Sequence, residues 1–127
     1  VTASGVLTSV IGTFCWGGLC VDTVTVTAAT PVKVRSPLAG RLISDAPLTP
    51  TTLHLYVQDV TTLQPTERWG SRLLWEQRGI GSSYDLELRR EQDIQIARPP
   101  GRYIVSVFVG WKDIGDASYA FYIEVIP

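Results

Sequence analysis

Methionine is absent from this chain, histidine occurs once and cysteine twice. Each shortage excludes some chemistry. With His54 as the sole imidazole, any triad or acid–base scheme must rest on that side chain, and no GxSxG nucleophile motif accompanies it. Two cysteines and one histidine are too few soft ligands for a structural zinc site, which as a rule takes four. No apolar run approaches the length that spans a bilayer, so no transmembrane segment is expected. Neither sign of charge dominates, and a formal net charge of −1 makes no electrostatic case for nucleic acid or an anionic membrane. Neither an enzyme nor a cofactor is expected.

What is present suits a folded domain. The 127 residues, 45% of them hydrophobic, can bury a core, and residues 1–127 read as one domain. Charge is unevenly placed: Asp22 is the only charged side chain between Val1 and Val32, while residues 67–98 carry twelve of the twenty-three. Neither half is long enough to close a good core alone, so the contrast marks a charged face of one domain. The chain opens VTASGV, with no basic segment leading into an apolar one. A mature or trimmed chain is expected, which is compatible with a removed export signal.

Both cysteines fall in FCWGGLCV, residues 14–21. With Gly17 and Gly18 as the two loop residues of a tight hairpin, Trp16 faces Leu19 and Cys15 faces Cys20. The spacing is wrong for a redox CxxC on a helix, and the reading that follows is a cross-strand disulfide between Cys15 and Cys20. An oxidising compartment is the corollary: extracellular, periplasmic, or membrane-anchored outside the cytoplasm.

Nearly everything else alternates with period two. DTVTVTA, VKVRS, LHLYVQDV and SYDLELRRE each separate an apolar from a polar set. Residues 37–50 read as turn-rich with a short strand at 41–44, and residues 64–70 as a connection, with residues 66–72 the one place for a helical turn. A turn is expected near Gln92 and Asp93. Seven to nine short strands with turn signals between them imply an all-β, two-sheet antiparallel sandwich with a disulfide-clamped N-terminal hairpin.

IQIARPPGRYIVSVFVGW followed by GDASYAFYIEVIP resembles the last strands of immunoglobulin-like domains, over roughly the final third of the chain. The resemblance implies an immunoglobulin-like sandwich of the kind found in secreted bacterial proteins and lipoproteins, with Tyr103 as a tyrosine-corner residue. The local cysteine pair sets the chain apart from antibody-type domains.

Candidate binding residues are few. Trp16 sits at the hairpin tip, Trp69 lies between Arg68 and Arg72, and Trp111 ends a strand, so these five are the expected contact residues. Asp113 and Asp116 flank Gly115 in a sparse oxygen set for Ca²⁺, and a solvated turn explains them more simply, so no metal is expected. The expected function is a non-catalytic extracellular or cell-envelope binding module for a protein or glycan, with a homodimer as a further option. Alternatives are a protease inhibitor presenting the stiff hairpin loop, a carbohydrate-binding module marked by coplanar exposed aromatic rings, and a passive spacer.

Overall fold

A computed structural model describes residues 10–16, 19–21, 25–43, 49–75, 81–89, 91–113 and 115–127. Among these the chain forms twelve strands and no helix. They are β1 (Val10–Trp16), β2 (Leu19–Val21), β3 (Thr25–Ala28), β4 (Val32–Arg35), β5 (Leu38–Ile43), β6 (Thr52–Asp59), β7 (Glu67–Trp69), β8 (Arg72–Trp75), β9 (Gly81–Asp85), β10 (Glu91–Ile96), β11 (Gly101–Trp111) and β12 (Gly115–Ile126).

Two long strands organise the rest. The hairpin β11–β12 pairs from Gly101 opposite Val125 to Trp111 opposite Gly115. It lies inside a seven-stranded sheet of order β2-β1-β12-β11-β6-β9, with β4 also on β12. Strand β12 is long enough to share one edge between two partners. Its first half pairs antiparallel with β1, and Ile123–Ile126 pair in parallel with β4.

Strand β11 is buried on both faces. Tyr103, Val105, Val107, Val109 and Trp111 point to one side, into a core shared with Leu55, Val57, Ile123 and Val125. The two-stranded sheet β5–β10 closes that side with Ile96 and the partly buried Leu38, Leu42 and Ile94. On the other side Ile104, Ala120 and Tyr122 join Val60, Leu73 and Trp75 in a second core. Leu73 and Trp75 belong to a three-stranded sheet of order β3-β8-β7. Ile104 has no exposed surface and Ile123 has 1%; burying such a side chain is worth about 1.5–3 kcal/mol.

This arrangement corrects the expected immunoglobulin-like two-sheet antiparallel sandwich. A two-sheet sandwich leaves the outer face of each sheet to water. Here both faces of the central strands are apolar, so a third sheet is needed to cover the second one. The β4–β12 pairing is parallel, which the expectation also lacked. Several local readings shift with it. Strand β5 occupies the stretch read as turn-rich, and β7 stands where a connection or helical turn was expected. Strand β10 begins at Glu91, across the expected turn.

The disulfide clamp is corrected as well. Among the described residues no disulfide is formed, and the Cys15 and Cys20 side chains lie outside them, as do Gly17 and Gly18. The backbone ladder holds this hairpin, with Cys15 opposite Cys20, Trp16 opposite Leu19, and β1 also zipped to β12. Directly opposed positions sit at the short end of the Cα range that a disulfide accepts.

Two hydrogen bonds brace the edges of these cores. Tyr103, 3% exposed, donates its hydroxyl proton to the Pro99 carbonyl at 2.8 Å, the contact that a tyrosine corner makes. Within the three-stranded sheet the Trp75 Nε1–H donates to Thr27 Oγ1 on the neighbouring strand at 3.1 Å, and the indole packs 5.7 Å from the Tyr122 ring. Thr27 is fully buried. Thr27→Val keeps the shape and strands the indole N–H, so urea denaturation should show a loss of about 1–3 kcal/mol. A change within about 0.5 kcal/mol, typical of a neutral surface substitution, would contradict this role.

Candidate functional site

The sequence-nominated residues gather in two separate places. Trp111, Asp113 and Asp116 come together with His54 around an open hollow of about 920 Å³ at the β11–β12 turn. The Thr51 N–H, at 2.7 Å, and the Thr51 hydroxyl, at 3.2 Å, both donate to the Gly110 carbonyl and tie the start of β6 to this end. Asp113 takes a left-handed conformation with φ 64°, which Asp tolerates better than most side chains. Asp113 and Asp116 are exposed, whereas Trp111 is 9% exposed and belongs to the first core. Trp16 pairs with Gly115 through its backbone, and its side chain lies outside the described ones.

Within the hollow His54 packs on Phe108, directly opposite it on β11, with ring centroids 5.5 Å apart and planes tilted by 48°. Among the described residues the His54 imidazole has no hydrogen-bond partner, although His54 stands directly opposite Asp85 on β9, and no three His, Cys, Asp or Glu side chains converge as a metal site would need. Asp113 and Asp116 are therefore not joined by further acidic or imidazole ligands among the described residues.

Arg68, Trp69 and Arg72 lie elsewhere, on the β7–β8 hairpin. Gly70, with φ 60°, leads its two-residue turn, as the II′ pattern requires. The register sets Arg68 across from Leu73 and Trp69 across from Arg72. Directly opposed residues share a face of the ladder, so the two exposed arginines point to opposite faces and do not form one patch. The Trp69 side chain lies outside the described ones.

A third feature has no counterpart in the expected site. Strand β9 ends the seven-stranded sheet and β10 ends the two-stranded one; each pairs on one side only among the described residues. Between them runs a groove of about 470 Å³, floored by Leu55, Leu86, Ile94 and Ile96. Every residue of β9 is exposed, and Gly81-Ser82-Ser83-Tyr84 carries no charge. A Cβ at Gly81 would run into the Tyr56 ring, so glycine there lets the edge lie flush on the sheet. At one end Arg98 Nη2 donates to the Tyr84 hydroxyl at 2.5 Å, with its guanidinium 5.6 Å from the Tyr84 ring centroid. At the other end the groove continues into a second hollow of about 710 Å³, bordered by Asp85, Glu87, Glu91 and Asp93 with Arg41 and Arg89.

The signal that could have found this groove is an uncharged run, Gly81–Tyr84, in an otherwise charge-rich segment. Natural edge strands are usually blunted by Lys, Pro or inward charge, and this one is not. No protein-family model matches the chain, and no curated protein matches it. No helix among the described residues is long and apolar enough to cross a membrane.

Two tyrosines, Tyr84 in the groove and Tyr103 in the first core, have pKa values shifted in opposite directions. The hydrogen bond from Arg98 holds the Tyr84 phenol below its ordinary value, partly offset by burial. Burial, with the nearby Asp59 carboxylate, pushes Tyr103 above it. Neutral Tyr103 therefore contributes stability below the ordinary tyrosine range that is lost as pH climbs through its raised pKa; Tyr84 gains in that climb. In alkaline titration followed by phenolate absorbance, Tyr84→Phe should remove an earlier part of the curve than Tyr103→Phe removes. The reverse order, or the same part lost in both variants, would contradict the assignment.

Proposed function

We propose that this chain is a non-catalytic interaction module that binds an extended polypeptide segment by taking it up as an added strand. The observation that carries this reading is the groove between the open edges of β9 and β10. A strand edge presents a row of N–H and C=O groups that a second extended segment satisfies, while alternate side chains enter the apolar floor. Leu55, Leu86, Ile94 and Ile96 supply that floor, and the backbone of β9 supplies the register.

The other readings have less support. A glycan platform wants near-coplanar exposed rings; the His54 and Phe108 rings are tilted by 48°, and Trp111 belongs to the core. The inhibitor reading rested on a disulfide-stiffened loop that has been withdrawn. A passive spacer has no use for an unblunted edge, which carries an aggregation risk.

The test uses a fluorescein-labelled octapeptide of alternating Thr and Val, with binding followed by anisotropy. In an antiparallel strand consecutive residues turn their N–H groups alternately toward and away from the partner. Of Ser82 and Ser83, one therefore donates to β6 and the other outward. Proline at each position identifies the outward one as the variant that keeps its thermal midpoint. That variant should bind about tenfold more weakly, through one lost donor and the bulk of the ring. Unchanged affinity in both proline variants would overturn strand addition at β9.

A further inference from the structure

Resting on that reading, we infer that the segment entering the groove carries an acidic side chain opposite Tyr84. Its chemistry is an extended strand with an aspartate or glutamate beside an apolar position on the same face.

Strand parity sorts the charges of the groove. Tyr84 stands opposite Leu55, so its ring lies on the first-core face of the sheet. Asp85 stands opposite His54 and belongs to the other face. On β10 the side chains of Gln92, Ile94 and Ile96 turn inward, whereas Glu91 and Asp93 turn outward to the Arg41 guanidinium. Arg98, beyond Ile96, keeps the parity of the inward set and is partly buried. Of Asp85, Asp93 and Arg98, the charged residues that line the groove, only Arg98 presents its side chain to the apolar side.

This cation is held in place without being neutralised. Arg98 Nη2 donates to the Tyr84 hydroxyl and Nη1 to the Ala97 carbonyl, both uncharged acceptors. No carboxylate pairs with it among the described residues, whereas Arg41 and Arg89 each hold their own acids. A guanidinium drawn partly out of water and fixed by neutral groups keeps its attraction for a carboxylate, and its remaining N–H donors are already oriented.

A strand added to β9 sets the residue across from Tyr84 on the face of Tyr84 itself. Its side chain arrives at the guanidinium, while the residue two places along, towards Leu86, meets the apolar floor. Apolar contact alone would accept any alternating segment. An acidic side chain at that one position gains an ion pair, and a basic one meets like charge. A second copy of this chain fits less well. Antiparallel pairing of β9 with itself about Ser83 sets Ser82 across from Tyr84, and Ser82 brings no charge.

Fluorescein-labelled, C-terminally amidated octapeptides of alternating Thr and Val test the inference. Each probe has one residue replaced by glutamate, its counterpart has lysine at the same place, and the replacement is walked along the peptide to cover every register. At low ionic strength the best glutamate probe should bind about threefold or more tightly than its lysine counterpart, with the advantage shrinking as salt is added. Arg98→Gln should abolish the advantage and keep the proline sensitivity, while Arg98→Lys should retain the advantage. An advantage that persists in Arg98→Gln would put the selecting charge elsewhere and overturn the inference. Equal binding of glutamate and lysine probes at every position, still weakened by proline on β9, would leave strand addition standing and overturn the acidic occupant. Failure of every probe to bind would overturn both. If sedimentation shows concentration-dependent self-association that the proline variant removes and the peptides cannot displace, the groove takes a second copy and the inference is wrong.

Discussion

Strand β11 cannot be exposed on either side. Tyr103, Val105, Val107 and Val109 alternate with Ile104 and a small buried Ser106, so an isolated β11–β12 hairpin would hold two apolar faces against water. The rest of the architecture answers that constraint. Strands β6 and β12 extend the apolar surface sideways, the β5–β10 pair closes the face carrying Val105, and the β3-β8-β7 sheet closes the face carrying Ile104. Burial on both faces is more usual in parallel sheets covered by helices; here small sheets do the covering, and no helix is formed among the described residues.

The groove follows from the same geometry. A two-stranded cover is narrower than the seven-stranded sheet beneath it. Beyond β10 the central sheet continues through β6 to β9, leaving Leu55 and Leu86 beside a gap that the cover does not reach. Tyr84 and Arg98 bridge one end of that gap, joining the two layers through a hydrogen bond and a stacked cation. Among the described residues β9 has no outer partner, and Gly81, Ser82 and Ser83 offer neither bulk nor charge to block that edge. An unfilled position between two sheet edges is thus a consequence of how the first core is covered.

Much of this was legible in the sequence. The period-two runs gave the all-β class, the two faces of β12, and the core face of β11. The hairpin register, Cys15 opposite Cys20 and Trp16 opposite Leu19, followed from glycine turn chemistry alone. The bond across it did not, because register fixes only which backbones oppose one another. The third sheet escaped because Ser106 and Gly110 interrupt the apolar pattern on the Ile104 face, although both are buried. Three-residue β7 is too short to display any period. SYDLELRRE reads as one continuous strand, but β9 stops at Asp85; Leu86 then packs on the core while Leu88 is 51% exposed. That break hid the groove. Trp111 was nominated for contact because it ends a strand, and tertiary packing claimed it for the core instead.

A nuclear Overhauser spectrum of methyl-labelled protein tests the three-layer account most directly. Cross-peaks should run from the Ile104 methyls to Leu73 or the Trp75 indole, and from the Val105 or Val107 methyls to Ile94 or Ile96, in the same folded species. Absence of the Ile104 set, with the Val105 and Val107 set intact, would leave a two-layer protein with an open second face and contradict the account.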